Sequence, residues 1–156
     1  MNYENEGILV KLKDIRQDLD MTQRSIASNL NIKQGVYSRW ENGREMIPLY
    51  RFNELCNLLH YTMDFITGLS ITNKKSDRVY KINMDICGER LRLWRRSNNI
   101  TQKQLADFLN TTQSTISAYE AGKTLILTAF AYQIAKTYHI SMDWLVGRSE
   151  IQYIKD

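Results

Sequence analysis

The chain has 156 residues, 43% apolar and 24% charged, with a net charge of +4 at pH 7. This is the balance of a soluble globular protein and excludes disordered, collagen-like and low-complexity classes. No apolar run approaches the roughly 20 residues of a transmembrane helix, and two cysteines, Cys56 and Cys87, are too few for a disulfide framework. The polar, acidic start Met1-Asn2-Tyr3-Glu4-Asn5-Glu6 lacks the basic and apolar regions of a signal peptide. A cytoplasmic protein with no membrane contact is expected. One proline and seven glycines favour long regular elements over many tight turns, and few Val, Ile and Thr residues alternate, so the expected class is all-α.

Leu9, Leu12, Ile15, Arg16 and Leu19 form the stripe of a first helix. Thr22 is placed to cap a second, which buries Ile26, Ala27 and Leu30. A short third helix begins three residues later, buries Val36 and Trp40, and stops at Gly43, where a left-handed C-cap is expected. Pro48 opens a fourth, with Leu55, Leu58 and Leu59 inward, and a fifth runs from Thr62 to Gly68. Residues 69–82 are polar in the middle and aperiodic. They read as a linker that spans at most about 46–50 Å when extended. Five helices then follow again. Their inward residues are Ile86, Leu91, Trp94 and Arg95; Leu105, Ala106 and Leu109; Ile116 and Tyr119; Ile134, Ala135 and Tyr138. The fifth begins after Ser141 and ends at Gly147.

This second set is the first one repeated. A shift of 79 positions aligns the halves without a gap, and 15 of 50 positions are identical between residues 21–70 and 100–149. Met21-Thr22-Gln23-Arg24-Ser25-Ile26-Ala27 falls on Ile100-Thr101-Gln102-Lys103-Gln104-Leu105-Ala106. Trp40-Glu41-Asn42-Gly43 falls on Tyr119-Glu120-Ala121-Gly122. Two copies of so long a unit indicate two small homologous domains rather than a solenoid. The expected limits are 1–68 and 83–149, with a tail at 150–156. The first half carries 10 basic against 9 acidic residues and the second 11 against 8, a balance that permits a polyanionic partner without requiring one.

Two helices joined by a short turn, with a small alanine where they cross, outline a helix-turn-helix. In both copies Thr-Gln-x-x-Leu/Ile-Ala precedes Gln-x-x-x-Ser-x-aromatic-Glu-x-Gly. On these residues each copy resembles the phage-repressor, Cro/XRE-type helix-turn-helix family. The segment Ser141-Met142-Asp143-Trp144-Leu145-Val146-Gly147 resembles that family's fifth helix. The resemblance implies two tandem five-helix lambda-repressor-like domains that bind double-stranded DNA, with the third helix in the major groove.

Carried over by position, the resemblance implies that Gln113, Ser114, Thr115 and Ser117 read bases in the second copy. Lys33, Gln34, Ser38 and Arg39 would do so in the first, beside Gly35. Gln102, Lys103 and Lys123, and likewise Gln23, Arg24 and Arg44, would contact the DNA backbone. Glutamine suits adenine because its amide both donates and accepts. The first copy departs from the pattern: Gly35 offers no side chain and costs a helix up to about 1 kcal/mol relative to alanine, and Lys33 replaces the cap residue Thr112.

Other residues read as structural. Trp40, Tyr119, Phe65 and Trp144 are expected in the core, and Glu41 and Glu120 are expected to bond inside their domains with Arg16 and Arg95 as partners. His60 and His139, matched at the end of helix 4, suit the negative end of its dipole and are too few for a metal site. No cofactor is expected. No phosphate loop, zinc motif or nucleophile elbow is present, so an enzyme is not expected. The implied function is a transcriptional regulator, a repressor, compatible with a homodimer. The alternative is a protein-interaction module, antitoxin-like or anti-repressor, in which a helix-turn-helix has become a partner surface. The glycine, the weak charge of the first copy and the apolar tail Ile151-Tyr153-Ile154 favour that alternative.

Overall fold

A computed structural model describes residues 7–73, 75 and 77–155. The acidic start, Lys74 and Ser76 of the expected linker, and the last tail residue lie outside these. The described residues divide into two compact units, one of those up to Tyr80 with Ile154 and Lys155, the other Lys81–Tyr153. The first contains α1 (Leu12–Asp18), α2 (Gln23–Asn29), α3 (Gln34–Glu41), α4 (Leu49–Leu59) and α5 (Met63–Ile66). The second contains α6 (Met84–Ser97), α7 (Gln102–Phe108), α8 (Gln113–Glu120), α9 (Thr128–Tyr138) and α10 (Met142–Leu145). Extended pairing among the described residues amounts to one bridge between Ile140 and Tyr153. The fold is all-α, with two tandem five-helix units. Among the described residues no helix is long and apolar enough to cross a membrane.

Polar caps fix where the short helices start. The hydroxyls of Thr22 and Thr101 accept the backbone N–H of Ser25 and Gln104, both at 3.0 Å. Gln104 also accepts from the Thr101 N–H at 2.9 Å, which completes a capping box. Thr62 and Ser141 cap α5 and α10 in the same way. Where the helices end, left-handed residues recur at the 79-residue interval. These are Asp20 and Asn99, Asn31 and Asn110, His60 and His139, then Gly43 and Gly122, Gly68 and Gly147. The two histidines therefore do more than lie near a dipole: with φ of 59° and 57° they are the C-cap residues of α4 and α9.

Each core is built from matched positions. Leu12, Ile26, Ala27, Trp40, Leu55 and Ile66 are buried in the first unit, and Leu91, Leu105, Ala106, Tyr119, Ile134 and Leu145 in the second. The burial pattern corrects several expectations. Tyr37, not Val36, joins Trp40 as a buried residue of α3: it stands 79 positions before the buried Ile116, on the inner side of the helix. Leu19 is exposed because it caps the C-terminus of α1, beyond the packed turns, and Ile86 is exposed in the first turn of α6. Leu58, Phe65 and Tyr138 are only half-buried. Ile151 and Tyr153 of the tail are exposed, although the Gln152 carbonyl accepts from Ser141 N–H at 2.8 Å.

The polar stretch between the repeats is fastened for part of its length. Asn53 and Asn57 of α4 each donate to the Tyr80 carbonyl at 2.8 Å, and the Tyr80 N–H donates back to Asn57 Oδ1 at 3.2 Å. Three residues later the Asn83 side chain caps α6. Lys81 and Ile82 alone separate these two anchors, so the extended reach of all 69–82 does not apply.

Glycine plays opposite roles in the two copies. An added Cβ on Gly88, inside α6, would lie 2.5 and 2.6 Å from the Tyr119 and Glu120 carbonyl oxygens, so this glycine lets α6 lie against the end of α8. At Gly35 an added Cβ would meet one atom within 4 Å, Arg39 Nη1 at 3.7 Å. Gly88→Ala should therefore destabilise the protein by about 1–3 kcal/mol. Gly35→Ala should stabilise it by about 0.4–1 kcal/mol. Urea unfolding of the two variants checks both signs.

Candidate nucleic-acid interface

A short turn separates α7 from α8. Asn110 takes the left-handed conformation, and the Thr111 N–H donates to the Ala106 carbonyl at 2.9 Å. Buried Ala106 leaves room for the two helices to cross closely. Thr112 then caps α8, its hydroxyl accepting Thr115 N–H and lying 3.0 Å from Ser114 Oγ and 2.9 Å from Thr115 Oγ1. The first turn of α8 thus presents a knot of small hydroxyls. Gln113, Ser114 and Ser117 are exposed and Thr115 is half-buried. Among the described residues the Gln113 amide has no partner, so both its donor and its acceptor are available.

The same turn in the first unit carries different chemistry. Lys33 occupies the cap position of α3 without a side-chain bond to the helix. Gln34, Gly35 and Arg39 are exposed, and half-buried Ser38 accepts from Asn42 Nδ2 at 3.1 Å. Arg39 donates through Nε to Glu45 at 2.7 Å. Of the residues expected on the DNA backbone, Arg24, Arg44 and Lys123 are exposed and form no ion pair among the described residues. Lys103 pairs with Asp107 one turn along α7 at 3.1 Å, both side chains mostly in solvent, which is a weak attachment that a phosphate can displace.

Gln23 and Gln102 do more than face outward. Each amide donates to the glutamate that ends the third helix, Gln23 to Glu41 at 3.2 Å and Gln102 to Glu120 at 2.9 Å. Those carboxylates take a two-pronged contact from the arginine of the first helix. Arg16 binds Glu41 through Nε and Nη2 at 2.8 and 2.9 Å. Arg95 binds Glu120 through the same pair of nitrogens. Arg16 and Arg95 also donate to the carbonyls of Met21 and Ile100 just before the second helix. The expected Arg–Glu partnerships are present in both copies. Burial pushes the Glu41 carboxyl up, but the hydrogen bonds from Arg16 and Gln23 outweigh it and leave its pKa below the ordinary 4.5. Burial raises the Tyr37 hydroxyl; it lies close enough to Glu41 to feel its charge but finds no well-formed hydrogen bond.

One matched pair went unread in the sequence. Lys11 lies over the Phe65 ring and Arg90 over the Trp144 ring, 5.9 and 5.3 Å from the centroids. Both pairs are a cation and an aromatic 54 residues apart, and each partner aligns at the 79-residue shift, so the repeat itself held the signal. Arg90 also donates to the Trp144 and Ser149 carbonyls. Buried Arg148 and Asp143 pair at 3.1 Å in the second unit, where the first has Leu69 in place of the arginine.

The helix-turn-helix family HTH_3 matches residues 12–66 and 91–145. The limits of the two matches differ by the same 79 residues as the internal repeat. No curated protein and no solved structure matches the chain.

The folded protein releases the Glu41 proton at lower pH than the unfolded chain does. Its contribution to stability is therefore complete above about pH 4.5 and disappears as pH falls through the lowered folded value. Thermal melts between pH 3 and 7 should show Glu41→Gln less stable than the native chain at neutral pH, with a shallower loss on acidification.

Proposed function

This chain belongs to the helix-turn-helix family, a DNA-binding family, in both of its units, and on that footing we propose that it is a sequence-specific transcriptional regulator that represses. Each third helix enters a major groove of double-stranded DNA with its first turn toward the base edges. Gln113, Ser114, Thr115 and Ser117 read one half-site. Lys33, Gln34, Ser38 and Arg39 read the other. Backbone contacts come from Gln102, Lys103 and Lys123, and from Gln23, Arg24 and Arg44.

The observation that carries this reading is the polarity of α8. Its inner face, Ile116 and Tyr119, is buried, while Gln113, Ser114 and Ser117 are exposed around a free amide. A surface of small hydroxyls lets a helix approach a groove closely, and a glutamine amide matches adenine N6 and N7. The nearby acidic residue does not oppose a polyanion, because Glu120 is turned inward and neutralised by Arg95. Gln23 and Gln102 keep a second N–H and a carbonyl beyond their bond to glutamate, so a phosphate contact is compatible with that bond. Two such units on one chain present unequal half-sites to one DNA duplex, and tethering raises the effective concentration of the second once the first has bound.

Binding-site selection from random duplex DNA at two salt concentrations tests this reading. A motif of two parts with centres about 10 base pairs apart is expected. Gln113→Ala should flatten one position by about 1–3 kcal/mol, and Lys123→Ala should weaken all sequences evenly. Selection of no sequence, with weak binding that vanishes as salt rises, would overturn it in favour of a protein-interaction module.

A further inference from the structure

Gly35, Arg39 and Glu45 form a group that the second unit lacks. Arg39 stands one helical turn after Gly35 on the same exposed face of α3. Its guanidinium folds back over the glycine, with Nη1 3.7 Å from where a Cβ would stand. Its Nε is held by Glu45 at 2.7 Å, and both side chains are 48% exposed. Among the described residues nothing else bonds the guanidinium, so the two terminal nitrogens remain free as a fork. Glu45 is itself fixed by the turn after α3, where the N–H groups of Arg44 and Glu45 both donate to the Arg39 carbonyl.

The second unit repeats the first of these two bonds, Lys123 N–H to the Ala118 carbonyl at 3.0 Å. There Ser114, Ala118 and Thr124 stand in place of glycine, arginine and glutamate. One bond of the turn is thus common to both copies while the three side chains are not. Neither the backbone nor the packing requires glycine at 35, since its φ is not positive and open space surrounds it. An exposed ion pair of this kind also does little for stability. The ion pair therefore makes better sense as a device that holds the guanidinium in place.

We propose that Arg39 is a guanine reader, its free fork addressing O6 and N7, with Glu45 as the positioning residue. This rests on the reading that the first unit binds DNA in the major groove. Arginine presents two parallel donors that match the two acceptors of guanine in that groove. Gln34 and Gln113 occupy matched positions in the two units, so the preference of the first unit differs by the added arginine, whose position in the second is alanine.

The test is selection from random duplex DNA by the full chain, by Arg39→Lys and by Glu45→Gln, each with its melting temperature. The native chain should select guanine at one position of one half-site. Arg39→Lys, which keeps the charge and removes the fork, should weaken that preference by about ten- to a hundredfold and leave the other positions unchanged. Glu45→Gln should blunt the same position alone, with an unchanged melting temperature, an effect that a merely structural ion pair would not produce. Retention of the same guanine preference by both variants would overturn this assignment while leaving DNA reading intact. A motif of a single half-site, untouched by either variant, would overturn it and remove the first unit from reading. Selection of nothing by the native chain would overturn both this assignment and the reading beneath it.

Discussion

The geometry of each unit depends on one buried carboxylate. Glu41 and Glu120 end the third helix, and each receives an arginine fork from the first helix and an amide from the first residue of the second. Three helices meet at two oxygens. The same arginine caps the backbone carbonyl that leads into the second helix, so the turn cannot swing without breaking charge-assisted bonds in a partly dry site. Such a pair is weak evidence for stability, because desolvation offsets much of the attraction. What it supplies is direction: the angle between the second and third helices is set from behind, and the outer face of the third is left free for other chemistry.

Much of this was legible from the chain. The 79-residue shift placed the caps Thr22 and Thr101, the left-handed glycines, the small crossing residues Ala27 and Ala106, and the Arg–Glu partners, because each occupies a position where only a few residue types satisfy the backbone or the packing. The errors arose where that restriction was relaxed or where distant parts of the chain meet. Val36 looked like a core residue because it is apolar, whereas the register of the second copy places Tyr37 in the interior. Leu19 and Ile86 fit the helical stripe but fall at helix ends, where the stripe has nothing to cover it. The clasp of Asn53 and Asn57 on Tyr80 could not be read, since it joins a helix face to an irregular segment more than 20 residues away and has no counterpart in the second copy.

Between the two units, the polar contacts behind the third helix are kept while part of its outer face is exchanged. Behind the third helix the arginine, glutamine and glutamate are identical, and the cation over an aromatic ring survives with both partners changed, Lys11 and Phe65 against Arg90 and Trp144. On the outer face almost every exchange alters hydrogen-bonding character: glycine for serine, arginine for alanine, lysine for a capping threonine. Gln34 and Ser38 keep their identity as Gln113 and Ser117, so the outer face is exchanged in part above a polar frame that is kept.

The clasp at Tyr80 also has an entropic consequence. With Tyr80 bound to α4 and Asn83 capping α6, Lys81 and Ile82 alone lie between the two anchors. Each residue whose backbone is fixed loses on the order of 1–2 kcal/mol of conformational entropy. Here that loss falls on folding, where it is offset by hydrogen bonds that the chain makes to itself.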